Sequence, residues 1–141
     1  MNEVMIERGG AVDARELVEL RSSDGSEPEH IEDWTVWLDE AYCTVTARQI
    51  GTGLLVGAGF IRGDSRHAVL ADNFVHPDFR RQGIGGKIFD ARVAFVDDLK
   101  VPYVWLTYDP KQPWLKEFYE RHGFVEVRFG MCLKRTLENV R

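Results

Sequence analysis

The run Arg80-Arg81-Gln82-Gly83-Ile84-Gly85-Gly86-Lys87 has the residue types that hold an anion. Its glycines let a backbone approach a ligand closely, and cations flank them. The run follows a strand-like segment beginning at Leu70 and opens a long helical pattern. The first N–H groups of a helix have no intrahelical partner, and the dipole there favours a negative group such as pyrophosphate. Two further residues could move protons: Asp72, just upstream, and Tyr119, in the run Phe118-Tyr119-Glu120-Arg121-His122-Gly123-Phe124. His76 and His122 fit structural or exposed roles better than a base, since one precedes the loop proline and the other a helix-ending glycine.

Counting excludes two familiar phosphate loops. A P-loop needs a glycine five residues before the Gly of its Gly-Lys pair, and counting back from Gly86-Lys87 reaches Arg81. A dinucleotide fingerprint starting at Gly83 would need Gly or Ala where Ile88 stands, and it belongs after the first strand of its unit.

The elements that must position these residues follow from periodicity and turn chemistry. Val4 to Glu7 is a short strand candidate. Asp13-Ala14-Arg15-Glu16 reads as a capping box for a helix ending near Ser22. A second helix spans about Ile31 to Glu40. Strands follow at Ala41 to Gln49, Gly53 to Arg62 and Ala68 to Val75, the first two joined by a hairpin turn. The glycine run feeds a helix to about Lys100, whose apolar stripe is Ile84, Ile88, Ala91, Phe95 and Leu99, widened by Phe89 and Val96. Val101 to Thr107 reads as a buried strand, and Pro113 to His122 as a short helix between an N1 proline and a C′ glycine. Two last strands are expected at Phe124 to Arg128 and Met131 to Arg135. The order β-α-α-β-β-β-α-β-α-β-β describes a single α/β domain over residues 1–141 with one mixed sheet.

Composition bounds the function. With 44% hydrophobic and 29% charged residues, the 141-residue chain is that of a folded globular domain. A net charge of −5 argues against nucleic-acid binding through a broad basic face. The acidity is local: Asp24, Glu27, Glu29, Glu32, Asp33, Asp39 and Glu40 lie in a stretch without Lys or Arg, and removing these seven acids from −5 leaves +2. No signal-peptide core is visible, and the apolar run Leu54 to Ile61 is too short to span a bilayer. Cys43 and Cys132 make neither a metal-ligand spacing nor a disulfide framework. Cytoplasmic location, reduced thiols and no membrane partner are the expectations.

The R-x-x-G-x-G run after a strand, together with the element order, resembles the GNAT superfamily of N-acetyltransferases, whose acetyl-CoA motif is Q/R-x-x-G-x-G/A. The likeness extends over essentially the whole chain, and Phe118 to Phe124 is similar to the family's F-Y-x-x-x-G-F signature. It implies the GNAT acyl-CoA N-acyltransferase fold, acetyl-CoA as acetyl donor and no metal. Pyrophosphate would rest on N–H groups from Arg81 to Gly86, with Arg80, Arg81 and Lys87 adding charge. Pantetheine would lie in a gap between the strands before the loop and after the helix. Asn73, Phe74 and Val75 would offer it backbone groups, one N–H near Val75 polarising the thioester carbonyl. Gln112 stands where many members carry an asparagine that contacts pantetheine. Tyr119 matches the family's donor of a proton to the thiolate, and Asp72 could take the proton of the amine. Asp72-Asn73-Phe74-Val75 is similar to polyamine-type members, but Ala71 replaces the first of their two acids.

The resemblance implies direct attack in a ternary complex on a primary amine, here of a small molecule. Protein Lys or N-terminal acetylation, or a catalytically silent acyl-CoA-binding regulatory domain, are the alternatives. Family likeness also implies a homodimer. Trp34, Trp37 and Tyr42 either line an acceptor pocket or pack the second helix onto the sheet. The acidic stretch is either a solvated face or a lip that concentrates a cationic amine.

Overall fold

The computed structural model describes residues 3–127 and 133–140. The chain forms two compact units, residues 1–106 and 107–141.

The first unit is a five-stranded sheet with helices on both faces. Its elements are β1 (Val4–Arg8), α1 (Ala14–Ser22), α2 (Ile31–Glu40), β2 (Cys43–Gln49), β3 (Leu55–Gly63), β4 (His67–Val75), a 3-10 turn (Pro77–Phe79), α3 (Ile84–Asp98) and β5 (Tyr103–Trp105). The strand order is β1-β2-β3-β4-β5. The first four strands pair antiparallel, and α3 crosses over to bring β5 in parallel to β4.

Strand alternation decides what each face receives. Ala58 and Phe60 of β3 point to α1 and α2, packing in a core with Leu17, Leu20 and Trp34. Gly57 and Gly59 point to α3, which rides close on the sheet there. A Cβ at Gly59 would stand 2.6 Å from Ile88 Cγ2, and one at Gly57 2.9 Å from Ile88 Cδ1. Each fully buried side chain, such as Phe60, Leu17, Ile61 and Ile88, contributes roughly 1.5–3 kcal/mol relative to exposure.

The buried line of α3 differs from the stripe expected above. It runs Ile84, Ile88, Arg92, Val96, with Phe89 beside it, while Leu99 is half exposed. The helix is rotated so that an arginine, not Ala91, faces the sheet. β5 is also shorter than expected and lies at the sheet edge: it pairs only over 67–69 with 103–105, and Tyr103 and Trp105 are exposed. Beyond that pairing β4 carries a bulge at Asp72, which breaks the regular ladder.

In the second unit α4 (Pro113–Glu120) starts at a proline and ends before Gly123, which has φ +88. Residues 124–127 and 133–136 are irregular, and Leu137–Val140 make a 3-10 turn. The two closing strands of the expected order are therefore not formed among the described residues. The parts of both ranges within 128–132, Gly130 and Cys132 included, lie outside them.

Candidate active site

The chemistry-bearing residues of the first unit meet at the end of β4. There the chain leaves the sheet, and a short scaffold fixes its path. The N–H of His76 donates to Val56 O, and His76 Nδ1 accepts from the N–H of Asp78. Arg80 Nε donates to Val75 O at 3.1 Å, bracing the strand end, while Asn73 Nδ2 reaches Gly85 O at 3.4 Å. His76 is thus a capping residue, as its position before the proline suggested.

From there the backbone enters α3 through two left-handed residues, Arg81 (φ +63) and Gly83 (φ +78). Gly83 is the N-cap and has no side chain to offer the helix, and no acid stands in the first turn. The first intrahelical bond runs from the N–H of Lys87 to Gly83 O. Ile84, Gly85 and Gly86 therefore present N–H groups that no side chain caps. No side chain blocks the approach: a Cβ at Gly86 would meet nothing within 4 Å, and one at Gly85 only Asn73 and Val75.

This helix start opens on a cleft of about 380 Å³. Asn73, Phe74 and Val75 form one wall, Phe79, Arg80, Arg81, Gly83, Ile84 and Gly85 another, and Leu20, Arg21, Ser23 and Asp24 a third. Arg21 lies over the Phe74 ring at 4.2 Å and pairs with Glu29. Asp24 Oδ1 accepts from the N–H and hydroxyl of Ser26. These bonds hold its carboxyl below the usual carboxylate range, with Arg80 adding a smaller pull. Gln82 instead donates to Asp78 O, and Lys87 is exposed on α3.

Asp72, one residue before this wall, has φ +57 and occupies a β-bulge. Trp34 is in the core, edge-on to Trp37 at 5.1 Å and against Phe60, while Trp37 is 40% exposed. Tyr42 does not join them, because its ring meets Phe95 of α3 on the other face of the sheet. Two arginines went unread in the sequence. Arg21, on the cleft wall, gave no signal beyond its place at a helix end. Arg92, buried between α3 and the sheet, did give one, as an arginine in register with Ile84 and Ile88.

In the second unit Tyr119 is half buried on α4, its ring near Phe118 and Phe124. Gln112 is the exposed residue before the α4 proline. His122 Nδ1 bonds the Phe118 carbonyl at 2.9 Å, a structural role.

An uncapped, glycine-lined helix start facing a cleft is open to an anion. The model of the acetyltransferase (GNAT) domain matches residues 34–126. The chain belongs to the GNAT acetyltransferase family. A protein from Staphylococcus aureus described as a probable acetyltransferase of unknown function has the same fold, with TM-score 0.73 and 23% identity over 94% of this chain and 100% of that one. An aminoglycoside N-acetyltransferase solved with CoA superposes at TM-score 0.70, with 16% identity over 96% of each chain. In sequence, the S-(2-succino)cysteine N-acetyltransferase of Bacillus subtilis is 45% identical over 53 residues, 36% of this chain. That match spans about a third of the relative, 32% of its length. No described helix is long and apolar enough to cross a membrane, and no group of three or more His, Cys, Asp or Glu among the described residues could hold a metal ion.

Proposed function

We propose that the protein transfers the acetyl group of acetyl-CoA to a primary amine of a small molecule, by direct attack in a ternary complex. The observation that carries this reading is the α3 start: open N–H groups between Arg81 and Gly86, facing a cleft whose far wall is the end of β4. Pyrophosphate rests on those N–H groups, with Arg81 and Lys87 neutralising charge. Pantetheine runs along Asn73, Phe74 and Val75, whose backbone polarises the thioester carbonyl. The family likeness gives Gln112, in the second unit, the role of the amide that contacts pantetheine. A small acceptor is supported by the succinocysteine-acetylating relative and by the aminoglycoside-acetylating neighbour.

An alkylammonium must lose a proton before it attacks, since its unperturbed pKa is about 10. Asp72 takes that proton directly or through water, and Tyr119 supplies one to the departing thiolate. The acceptor amine enters beside Phe74. The working form in this reading is a cytoplasmic homodimer.

Thiol release from acetyl-CoA over a panel of small amines tests the proposal. Turnover with at least one amine is expected, and Tyr119→Phe should lower kcat on the order of 100-fold with little change in acetyl-CoA binding. Turnover only on proteins would move the acceptor class. Tight acetyl-CoA binding with no turnover would make the domain a silent acyl-CoA sensor. No rise in melting temperature with acetyl-CoA would remove the cofactor itself.

A further inference from the structure

We infer that Arg92, which no sequence motif marks, is a positioning residue for acyl transfer. It clamps the β4 bulge from behind and so sets the backbone that meets the thioester. The inference rests on the proposed function in one respect, that the end of β4 is the thioester strand.

Arg92 stands in the buried line of α3 and is 4% exposed. An arginine in an apolar interface is costly unless its donors are engaged. Its Nη1 donates to three backbone carbonyls: Phe60 O at 3.1 Å, Ala71 O at 3.2 Å and Asp72 O at 3.2 Å. These three atoms belong to one irregularity. The β3–β4 register steps from Gly59 opposite Asn73 to Phe60 opposite Ala71, so Asp72 has no residue across from it. Asp72 bridges the gap with φ +57, a left-handed conformation that strains a non-glycine residue. The bulge turns two consecutive carbonyls toward α3, where the ladder cannot satisfy both. The guanidinium collects them together with the carbonyl of the facing strand.

The neighbouring sequence makes room for this arrangement. A Cβ at Gly59 would lie 3.2 Å from Arg92 Nε and 2.6 Å from Ile88 Cγ2. A glycine at that point of β3 leaves the guanidinium and Ile88 the room that a Cβ would crowd.

Clamping carbonyls has a consequence on the other side of each peptide. In a trans peptide the N–H points opposite to the C=O. Fixing the Ala71 and Asp72 carbonyls therefore fixes the direction of the Asp72 and Asn73 N–H groups. It also fixes where the Asp72 carboxylate and the Asn73 amide leave the strand, and Asn73 lines the cleft. Arg92 thus acts through the bulge, on the residues that would hold the thioester and accept the amine proton. The pyrophosphate cradle at residues 81–86 lies more than a helical turn away and touches this strand segment through the long Asn73 Nδ2–Gly85 O bond of 3.4 Å, so Arg92 makes no direct contact with it.

The test is a split between binding and turnover in Arg92→Lys and Arg92→Met. Both variants should bind acetyl-CoA within about three-fold of the parent, because the α3 start is intact. Their kcat should fall roughly 10-fold for Lys and 100-fold for Met, since misplacing reacting groups by about an ångström costs that much. The pH–kcat profile should also change in Arg92→Lys, because the groups that meet the amine are re-aimed, a readout that a purely structural role would not move. Backbone amide exchange at residues 71–75 should quicken in Arg92→Lys, with α1 and β1 unaffected.

Parent-like kcat and pH profile in folded Arg92→Lys would overturn the inference, whether or not Arg92→Met folds. So would losses of kcat and acetyl-CoA affinity in the same proportion. Failure of the parent protein to bind acetyl-CoA or to turn over any amine would instead remove the proposed function. The clamp would still be judged by the exchange measurement.

Discussion

Two helix starts in the first unit face opposite demands. At α1 the side chain of Asp13 accepts from the N–H of Arg15, and Glu16, the third helical residue, reaches back to the N–H of Asp13. Arg48 then closes the arrangement by donating to both Glu16 oxygens, at 2.8 and 2.7 Å. At α3 the same two positions are Gly83 and Gly86, and nothing of the chain's own caps the turn. One start spends its N–H groups on the fold. The other leaves them open where pyrophosphate is proposed to rest, and in that reading the missing helix stabilisation is the cost of a binding site.

Gly86→Glu breaks the contrast most directly, because it gives α3 the acid that α1 has in the same position. A Cβ there meets nothing within 4 Å, and replacing a helical glycine should stabilise the fold by about 1 kcal/mol, with the dipole adding a few tenths. The carboxylate would stand where the pyrophosphate is proposed to rest. Acetyl-CoA affinity should fall roughly 100-fold, equivalent to about 3 kcal/mol of lost interaction. Calorimetric titration and thermal melts read the two effects separately. A variant that melts higher and still binds like the parent would mean that the helix start is not the anion site.

The reciprocal change is Glu16→Gln, which opens the closed start. The Glu16 carboxyl is held below its ordinary range first by hydrogen bonds from Arg48, against the opposing effect of partial burial, with the Asp13 N–H assisting. A depressed carboxylate pKa contributes stability that is complete above the unfolded value, about 4.3, and is lost as pH falls through the folded value. The parent should therefore lose stability between about pH 5 and 3 more steeply than Glu16→Gln does. At pH 7 the substitution should cost about 1–2 kcal/mol, the range of a lost cap with a partly exposed ion pair. Acetyl-CoA affinity should not change. An affinity loss here would show the two helix starts to be coupled through α1, whose last turn borders the cleft.

Local patterns made most of this architecture legible. Asp13 to Glu16 spelled its cap, Gln49 to Gly53 its turn, and the glycine run its helix start, because each depends on neighbours in sequence. The first nine elements of the expected order are present. Long-range choices were harder to read. The α3 stripe could be drawn through Ala91 or through Arg92, and only the bulge of β4 at Asp72, twenty residues upstream, decides for Arg92. β5 reads as a full strand by composition, yet it pairs with β4 only up to Trp105, short of the β4 bulge. The pairing of Glu29 with Arg21, which draws one acid out of the exposed stretch, likewise depends on where a loop returns to its helix.

That pairing sharpens the smallest of the expected effects and brings in a third helix start. α2 begins at His30, which makes no side-chain cap, and carries Glu32 and Asp33 in its first turn, both exposed. Its N–H groups are compensated by charge rather than by a closed box. If the acidic stretch concentrates a cationic amine, neutralising Glu32 and Asp33 should raise the acceptor KM about 2–4-fold at low ionic strength, and the difference should vanish at about 0.3 M salt. Glu29→Gln should behave differently, since it releases Arg21 beside Phe74 at the cleft wall. Its effect on the acceptor KM should persist at high salt, because a contact at the site is screened far less than a diffuse field. Identical salt dependence for the two substitutions would make Glu29 one more surface charge. An unchanged KM for the Glu32 and Asp33 variant at low salt would leave those acids to the helix alone, as Glu16 is left at α1.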